Sequence, residues 1–497
     1  MFAYCPAGGR PPLSRARIAI VGAGFSGLGA AIQLKRAGID DFVLLERADD
    51  LGGTWHFNHY PGLCCDVPSH VYSFSFDLSS EWTRGFAPGW EIKEYLRSNA
   101  EKHGLMPHIR FGHEMLEAGW DEDASEWSIR TSGGDFTARY LINGSGALSE
   151  PKPPDIPGLG EFRGHSFHSG HWDHDHRLGG ERVGVVGTGA SSIQFVPKIQ
   201  PEVDRLTLFQ RTPPWVIPRF DHEITEPEKQ ALRRIPLAPA IVRGALYWTL
   251  ETRVVGFRNP AIMKITAEPV AKWHLKRQVK DPELRRKLTP DYTIGCKRIL
   301  ISDDYYPSLD QPNVDVVTEG IERVTADGIV TRDGVEHRLD TIIFGTGFEV
   351  TKQPIARRIR GRAGKLLADA WTPSVQAYKG TTVTGFPNFF QMTGPNTGLG
   401  HNSMVFMVES QLNYIVSCFN TLRERGAEVF EVKRDAQERY NEWLQRRLEG
   451  TVWTAGNCQS WYLDDTGRNT TLWPSYSYAF RRLTRRFDPQ AYELAPA

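Results

Sequence analysis

The hydrophobic pattern near the start of the chain predicts a strand, a glycine-rich turn, a helix and a second strand. Residues 17–21 (RIAIV) form a short apolar run, as a buried parallel strand requires. The glycine-rich segment 22–27 follows at once, and residues 28–37 carry Ala and Leu on one helical face. Residues 42–45 (FVLL) predict the next strand. This succession is typical of an α/β fold.

The same succession occurs again in the middle of the chain. Residues 182–186 (RVGVV) predict a buried strand, residues 187–192 a glycine-rich turn and residues 193–199 a helix. A further strand is predicted over residues 206–209. The sequence contains no other internal repeat.

Each glycine-rich turn has the spacing that binds a dinucleotide. Gly22 allows the tight turn, Gly24 lets a pyrophosphate approach the backbone, and Gly27 lets the helix pack closely on the strand. The N-terminus of the following helix would face the phosphates. In the second turn Ser192 stands at the third position, which needs only a small side chain.

The residue that follows the second strand of each unit differs in charge. Glu46 stands there in the first unit, where a carboxylate binds a ribose diol and repels a 2′-phosphate. The second unit has Gln210, Arg211 and Thr212 instead. An arginine can bind a 2′-phosphate through charge-assisted hydrogen bonds, although Arg211 alone could equally be a solvated charge. The first site is therefore predicted to bind FAD or NAD, and the second NADPH.

Two sites of opposite charge preference imply that one cofactor stays bound while the other exchanges. The simplest reaction for such a pair is hydride transfer from NADPH to a bound flavin. The segment containing Gly53, Thr54 and Trp55 combines small and polar residues, which suits a loop along a flavin edge.

The two units are predicted to nest, giving an α/β fold of two Rossmann-like dinucleotide-binding domains with a helical insertion. The FAD-binding domain comprises residues 1–150 and 350–497, and the NADP-binding domain residues 156–215 and 293–349. Residues 216–292 are rich in Leu, Ala, Lys, Arg and Glu at helical spacing. We expect this insertion to cover the substrate cleft.

Charge and hydropathy argue against several partners. Lys and Arg total 59, as do Asp and Glu, so nothing in the net charge favours nucleic acid or an anionic membrane. No stretch reaches the ~18 apolar residues of a transmembrane helix. Charged residues interrupt the nearest candidate, residues 237–257, which is more typical of an amphipathic helix.

The cysteines predict a reducing compartment. There are six in 497 residues, too few for a disulfide framework, and they form no Cys-x-x-Cys pair. Residues 1–16 contain three prolines and no apolar segment of the kind found in signal peptides. We therefore interpret the cysteines as reduced thiols and expect a cytoplasmic protein. The cysteines are Cys5, Cys64, Cys65, Cys296, Cys418 and Cys458.

A fingerprint lies between the two units, in the spacing F-x-G-x-x-x-H-x-x-x-W-D. Its residues are Phe162, Gly164, His168, Trp172 and Asp173. Together with the two glycine motifs, it resembles the fingerprint of the type I Baeyer–Villiger monooxygenases, which are class B flavoprotein monooxygenases. In the related N- and S-oxidising flavin-containing monooxygenases a similar fingerprint ends in Tyr or Phe, so the Trp-Asp ending favours ketone oxidation.

The resemblance implies an FAD-dependent, NADPH-consuming enzyme that uses O2 to convert small-molecule ketones to esters or lactones via a C4a-peroxyflavin. The catalytic arginine of the family corresponds to Arg298, its carboxylate partner to Asp66, and a lysine that holds the NADP phosphate to Lys297. Taken alone, Arg298 would be interpreted as a charge at the start of a strand. The family commonly has Ala-Arg-Cys-Asp where this chain has Leu-Cys-Cys-Asp. That loop is therefore expected to shape the cleft differently.

The resemblance also implies that His168 is a hinge or domain-coupling residue in a linker. The histidine-rich stretch around it would otherwise suggest a metal site, but its Gly and Asp neighbours are more typical of a polar loop. No metal site is predicted. The predicted catalytic residues are Arg298 and Asp66; the predicted cofactor-binding residues are Gly22, Gly24, Phe25, Ser26, Gly27, Glu46, Gly53, Thr54, Trp55, Asp66, Gly187, Thr188, Gly189, Ser191, Ser192, Gln194, Arg211, Thr212 and Lys297.

Three other functions compete with this interpretation. An N- or S-oxidising flavin-containing monooxygenase is the closest. A flavin disulfide reductase needs a redox cysteine pair at close spacing, which the sequence does not contain. A non-catalytic nucleotide-sensing module is disfavoured by the intact glycine turns and by Glu46, Arg211 and Arg298.

Overall fold

The computed structural model describes residues 14–148, 150–152, 154–351, 353–456, 458 and 460–496. Most of the segment that we interpreted as free of a signal peptide, and the predicted start of the FAD-binding domain, lie outside the described residues. In the described part of the chain no helix has the length and hydropathy needed to span a bilayer.

Strands and α-helices alternate around the two glycine-rich turns and form runs of one type elsewhere. The strands are β1 (Ser14–Val21), β2 (Phe42–Leu45), β3 (Ile109–Arg110), β4 (Met115–Asp121), β5 (Glu126–Thr131), β6 (Asp135–Asn143), β7 (His165–His168), β8 (Arg182–Val186), β9 (Arg205–Phe209), β10 (Val216–Ile217), β11 (Leu300–Ile301), β12 (Val314–Val317), β13 (Ile321–Thr325), β14 (Gly328–Thr331), β15 (Glu336–Arg338), β16 (Thr341–Phe344), β17 (Ile359–Arg360), β18 (Phe389–Gln391), β19 (Val429–Val432) and β20 (Tyr492–Ala495). The α-helices are α1 (Phe25–Arg36), α2 (Thr54–Phe57), α3 (Gly89–Lys102), α4 (Ser192–Ile199), α5 (Glu226–Arg234), α6 (Ala238–Thr252), α7 (Val254–Arg258), α8 (Pro260–Gln278), α9 (Pro282–Lys287), α10 (Tyr305–Leu309), α11 (Leu367–Ala370), α12 (Met404–Arg425), α13 (Arg434–Leu448), α14 (Val452–Ala455) and α15 (Ser477–Leu483).

The first sheet has eight strands and is built from both ends of the chain. Its strand order is β17-β4-β5-β6-β1-β2-β3, and β18 also pairs with β6. The central strand β1 pairs in parallel with β2 and β6. Helix α12 returns from the C-terminal region and packs on α1, where Leu412 lies so close to Gly29 that a Cβ there would stand 2.9 Å from it. The residues after 350 therefore complete the layer that β1 begins.

The second sheet has five parallel strands in the order β12-β9-β8-β16-β7. Its central strands are buried because helices cover them, as in other parallel sheets. A core of its own, which includes Val183, Val185, Leu206 and Leu208, lies under α4 and α10. The predicted α/β class with two strand–turn–helix units is confirmed.

Helices α5 to α9 lie between β10 and β11, within the predicted helical insertion. A buried carboxylate anchors this region to the C-terminal part of the chain. Glu251, only 1% exposed, accepts hydrogen bonds from Asn402 Nδ2 at 2.7 Å and from Ser477 Oγ at 2.9 Å. Buried charges are stable only when their hydrogen bonds are satisfied, so this contact fixes the position of α6.

The interpretation of all six cysteines as reduced thiols is wrong, because Cys296 and Cys458 form a disulfide. The two residues lie 162 positions apart in the sequence, and the fold brings them together. Beside the disulfide, Thr293 N donates to Gly456 O at 3.3 Å. Cys64, Cys65 and Cys418 are free, and Cys5 lies outside the described residues.

Replacing Gly27 with alanine should destabilise the first unit strongly. An added Cβ would stand 1.8 Å from Gly22 O, a backbone atom that cannot move without opening the turn. We expect a loss of about 2 kcal/mol or more in the free energy of unfolding, seen as a lower melting temperature. Gly244→Ala is the matched control: an added Cβ meets no atom within 4 Å on α6, and alanine favours a helix. Equal melting temperatures for the two variants would contradict the expectation.

Candidate active site

A cleft runs along the carboxyl ends of the strands in the first sheet, where ligands of open α/β sheets bind. Val21 ends β1 and Leu45 ends β2, and both line it together with Gly144, which follows β6. Most of the predicted residues of the first site also line this cleft. They are Gly22, Gly24, Phe25, Ser26, Glu46, Gly53, Thr54, Trp55 and Arg298.

The glycines of the first turn keep the floor of the cleft open. Gly22 has φ +92°, and a Cβ on it would stand 2.8 Å from Gly144 O. A Cβ on Gly24 would stand 3.3 Å from Gly53 Cα, so the two loops touch through backbone alone. Gly27 does not face the cleft; it packs under Gly22. The turn thus has the bare backbone that a pyrophosphate can approach.

Glu46 is buried at one end of the cleft. One carboxylate oxygen accepts from Ala23 N at 2.7 Å and the other from Ala48 N at 2.9 Å. Each oxygen retains further acceptor capacity, because a carboxylate offers about four lone-pair sites. Glu46 is therefore fixed in orientation and can still accept hydrogen bonds from hydroxyl groups.

Arg298 lines this cleft and forms an ion pair with Asp66. Arg298 Nε donates to Asp66 Oδ2 at 2.8 Å, and Nη2 donates to the same oxygen. The carboxylate of Asp66 raises the pKa of Arg298, so the guanidinium stays charged. The side chain of Arg298 is 35% exposed, and this exposure faces the cleft. The structure therefore brings the two predicted catalytic residues together.

The sequence did not indicate Tyr462, which lies beside Arg298 and lines the same cleft. Its side chain is only 1% exposed. Burial raises the pKa of Tyr462 to about 12, although the neighbouring guanidinium acts in the opposite direction. The hydroxyl is thus a neutral group next to a fixed positive charge. No motif marks this position, so only the fold could have revealed it.

The second site is a polar groove at the end of β9. Arg211 and Thr212 line it, together with Arg286 and Lys287 from α9. Lys297 lies close by: burial and then the charge of Arg211 lower the pKa of its ammonium group. The predicted cations of the second site are therefore neighbours, and an anion between them would relieve their repulsion.

The glycine turn of the second unit is held against the rest of its sheet. Gly187 has φ +108°, and a Cβ there would stand 2.5 Å from Gly345 O. Thr188 Oγ1 donates to Thr212 O at 3.2 Å, which ties the turn to the groove. The space beside Gly189 is open, because the nearest atom to an added Cβ, Gly345 O, is 3.9 Å away.

Three predicted cofactor residues of α4 and its cap contact other parts of the protein. Gln194 Nε2 donates to Cys64 O at 3.0 Å, and Gln194 Oε1 accepts from Tyr60 OH at 3.0 Å. Ser191 lies beside the same tyrosine hydroxyl. Ser192 is fully buried and packs under Gly345. In the structure Gln194 therefore fixes the loop that leads to Asp66.

The fingerprint residue His168 lies where two connections between the sheets cross. Its Nδ1 accepts from Gly170 N at 3.0 Å, and its ring packs edge-on against Phe348 at 5.9 Å. Phe348 in turn pairs with Pro151 in an isolated bridge. Burial lowers the pKa of His168 to about 4. Over the described residues, no group of three or more His, Cys, Asp or Glu side chains has the arrangement of a metal site.

Comparison with known proteins gives a consistent result. A family model described as flavin-binding monooxygenase-like matches residues 15–228. A Baeyer-Villiger monooxygenase of Pseudomonas aeruginosa is 52% identical to the chain, covering 96% of it and 91% of that protein. A Baeyer-Villiger monooxygenase of Streptomyces coelicolor is 50% identical, covering 97% of this chain and 93% of that protein. Among solved structures, an OTEMO complex with FAD and NADP matches with a TM-score of 0.85 at 27% identity, covering 98% of this chain and all of that one.

The free energy of unfolding should depend on pH through His168. The folded protein keeps His168 neutral down to about pH 4, whereas an unfolded histidine takes up a proton near pH 6.5. Stability should therefore fall as the pH falls from about 6.5 towards 4. In His168→Asn, the asparagine Oδ1 can replace Nδ1 as the acceptor. Between pH 7 and pH 5, the free energy of unfolding of this variant should fall by about 1 kcal/mol less than that of the wild type.

Urea unfolding at both pH values measures this difference. Ser166→Ala on the same strand carries no titrating group and serves as the control. Identical pH dependence in the wild type and His168→Asn would contradict the expectation.

Proposed function

Because the chain belongs to the Baeyer–Villiger monooxygenase family and is a flavoprotein monooxygenase, we propose that it uses FAD, NADPH and O2 to convert a ketone to an ester or a lactone. The observation that carries this proposal is the Arg298–Asp66 ion pair in the wall of the first cleft. A permanent, oriented positive charge at that position suits a reaction in which a carbonyl oxygen becomes negative.

We assign FAD to the first cleft. The bare backbone at Gly22 and Gly24 suits a pyrophosphate, and the carboxylate of Glu46 suits a ribose diol. Ser145 Oγ lines the same cleft and is buried without a hydrogen-bond partner in the described structure. A buried hydroxyl without a partner is costly, so a polar ligand there would satisfy it.

We assign NADPH to the second unit. Its glycine turn again exposes backbone, and the groove beside it contains Arg211 with Lys297 nearby. These cations fit a 2′-phosphate, which NADPH has and FAD lacks. The difference in charge between the two sites supports the assignment of one cofactor to each.

Bound FAD, once reduced by NADPH, would supply activated O2, of which one atom enters the ester and the other leaves as water. Arg298 would stabilise the negative charge that develops on the ketone oxygen. Asp66 would hold the guanidinium in place and moderate its attraction for anions. The backbone and side chains that close the cleft would exclude water from this charge.

N- or S-oxidation is the second candidate. In that reaction no carbonyl oxygen becomes negative, so a fixed cation is not required. The paired guanidinium of Arg298 therefore favours ketone oxidation. Assays with a thioether and with a cyclic ketone distinguish the two functions, because only formation of the ketone product should depend on Arg298.

Arg298→Ala should make ester about a hundredfold more slowly, because removing one positioned donor costs about that much in other enzymes. NADPH oxidation and FAD content should persist, since Arg298 lies in neither nucleotide turn. Product mass spectrometry with a ketone panel measures the loss. Arg182→Ala is the matched control: Arg182 makes a similar paired contact with Asp340 but lies at the start of β8, away from the cleft. Ester formation at the wild-type rate in Arg298→Ala would overturn this role.

Arg211→Ala should raise the KM for NADPH about tenfold or more and leave the KM for NADH unchanged. The lost interaction is a charge-assisted hydrogen bond, which contributes about 1.5–3 kcal/mol. Steady-state oxidation of the two nucleotides provides the comparison. Arg205→Ala, at the opposite end of β9, should change neither value. An equal effect of Arg211→Ala on both nucleotides would remove the 2′-phosphate assignment.

A further inference from the structure

The Cys296–Cys458 disulfide lies next to the proposed catalytic pair. Cys296 precedes Arg298 by two residues, and Cys458 precedes Tyr462 by four. The crosslink therefore joins the segment that carries the guanidinium to the segment that carries the neighbouring hydroxyl. The first segment leads into β11 beside the second sheet, whereas the second follows α14 in the C-terminal region.

Buried side chains of both segments, such as Ile294 and Trp453, also belong to one hydrophobic core. Over the described residues, one backbone hydrogen bond connects them, from Thr293 N to Gly456 O at 3.3 Å. Gly456 packs directly on the crosslink, since a Cβ there would stand 2.6 Å from Cys296 Cβ. Beyond Cys458, Tyr462 N donates to Ser460 Oγ at 3.3 Å, and Tyr462 O accepts from Thr470 N at 3.2 Å. The disulfide thus adds a covalent link between two segments that pack in the same core.

The hydroxyl of Tyr462 can orient Arg298 without neutralising it. With a pKa of about 12, the hydroxyl keeps its proton at working pH. It can therefore accept a hydrogen bond from the neighbouring guanidinium and adds no negative charge. Asp66 occupies the Nε and Nη2 side of Arg298, so a second neutral contact limits the remaining rotation of the group.

We propose that the Cys296–Cys458 disulfide positions Tyr462 against Arg298, and that Tyr462 is a further positioning residue for the ketone reaction. The proposal of a positioning role rests on the proposed function, whereas the presence of the crosslink does not. Two equivalents of a small thiol can break the crosslink. Both cysteines then gain a proton and an electron as thiols, and the small thiol is oxidised to its own disulfide. The reduced protein keeps flavin reduction but forms ester less efficiently.

The crosslink itself is tested by alkylating the purified, untreated holoenzyme with iodoacetamide under denaturing conditions. Peptide mass spectrometry should find Cys296 and Cys458 unmodified until a reductant is added. Cys64, Cys65 and Cys418 are free in the structure and should be alkylated from the start, which makes them internal controls. Alkylation of Cys296 and Cys458 without reductant would overturn the proposal, whatever reaction the enzyme catalyses.

The positioning role is tested with Tyr462→Phe and with the double variant Cys296→Ser/Cys458→Ser. Both should lower the turnover number for ester formation about tenfold, as expected for loss of one charge-assisted hydrogen bond. The KM for the ketone and the rate of flavin reduction by NADPH should stay within twofold. More NADPH should then be consumed per ester formed. Cys418→Ala, which removes a free thiol on α12, is the control.

A thiol treatment completes the comparison. Dithiothreitol should lower ester yield per NADPH in the wild type and have no further effect in the double variant. Unchanged ester yield in both Tyr462→Phe and the double variant would overturn the positioning role. If the wild type forms ester from no ketone, the proposed function fails instead, and the alkylation result still decides whether the crosslink exists.

Discussion

The ion pair between Arg298 and Asp66 is the contact on which the arrangement of the active site depends. A partly buried guanidinium needs a partner, because an unpaired charge out of water costs several kcal/mol. Its partner lies 232 residues earlier in the sequence, in a loop of the first unit. The pair can therefore form only when the loop after α2 packs against the segment that leads into β11. The same ion pair stabilises the charge of Arg298 and completes the wall of the cleft.

The second unit also helps to place Asp66. Gln194, on the helix after the second glycine turn, uses its amide to hold Cys64 and Tyr60. Gly62 lies so close to that helix that a Cβ would stand 2.6 Å from Gln194 O. The loop to Asp66 is thus clamped by the unit to which we assign NADPH. A change in that unit would reach the Arg298 charge through a short, packed path.

Local features of the chain were predictable from the sequence, and contacts across the fold were not. Strands β2 and β8 have the predicted bounds, because a buried parallel strand leaves a continuous apolar run. Helix α1 begins at Phe25, three residues before the predicted start, since Gly24 already provides an extended cap. The disulfide of Cys296 and the approach of Tyr462 to Arg298 join distant segments without a motif. The resemblance indicated Arg298 and Asp66, whereas residue spacing alone would not have paired them.

The two nucleotide sites differ in how their charges are balanced before a ligand arrives. Glu46 already receives two backbone hydrogen bonds, so its carboxylate is stabilised by the protein itself. Beside the second groove, burial and Arg211 lower the pKa of Lys297, which means that its ammonium is held at a cost. A bound phosphate would remove that cost, and its affinity includes the relief of this repulsion. The first site is therefore complete as a rigid cradle, whereas the second gains stability from the anion it binds. That difference in charge balance supports the proposed assignment of FAD to the first site and NADPH to the second.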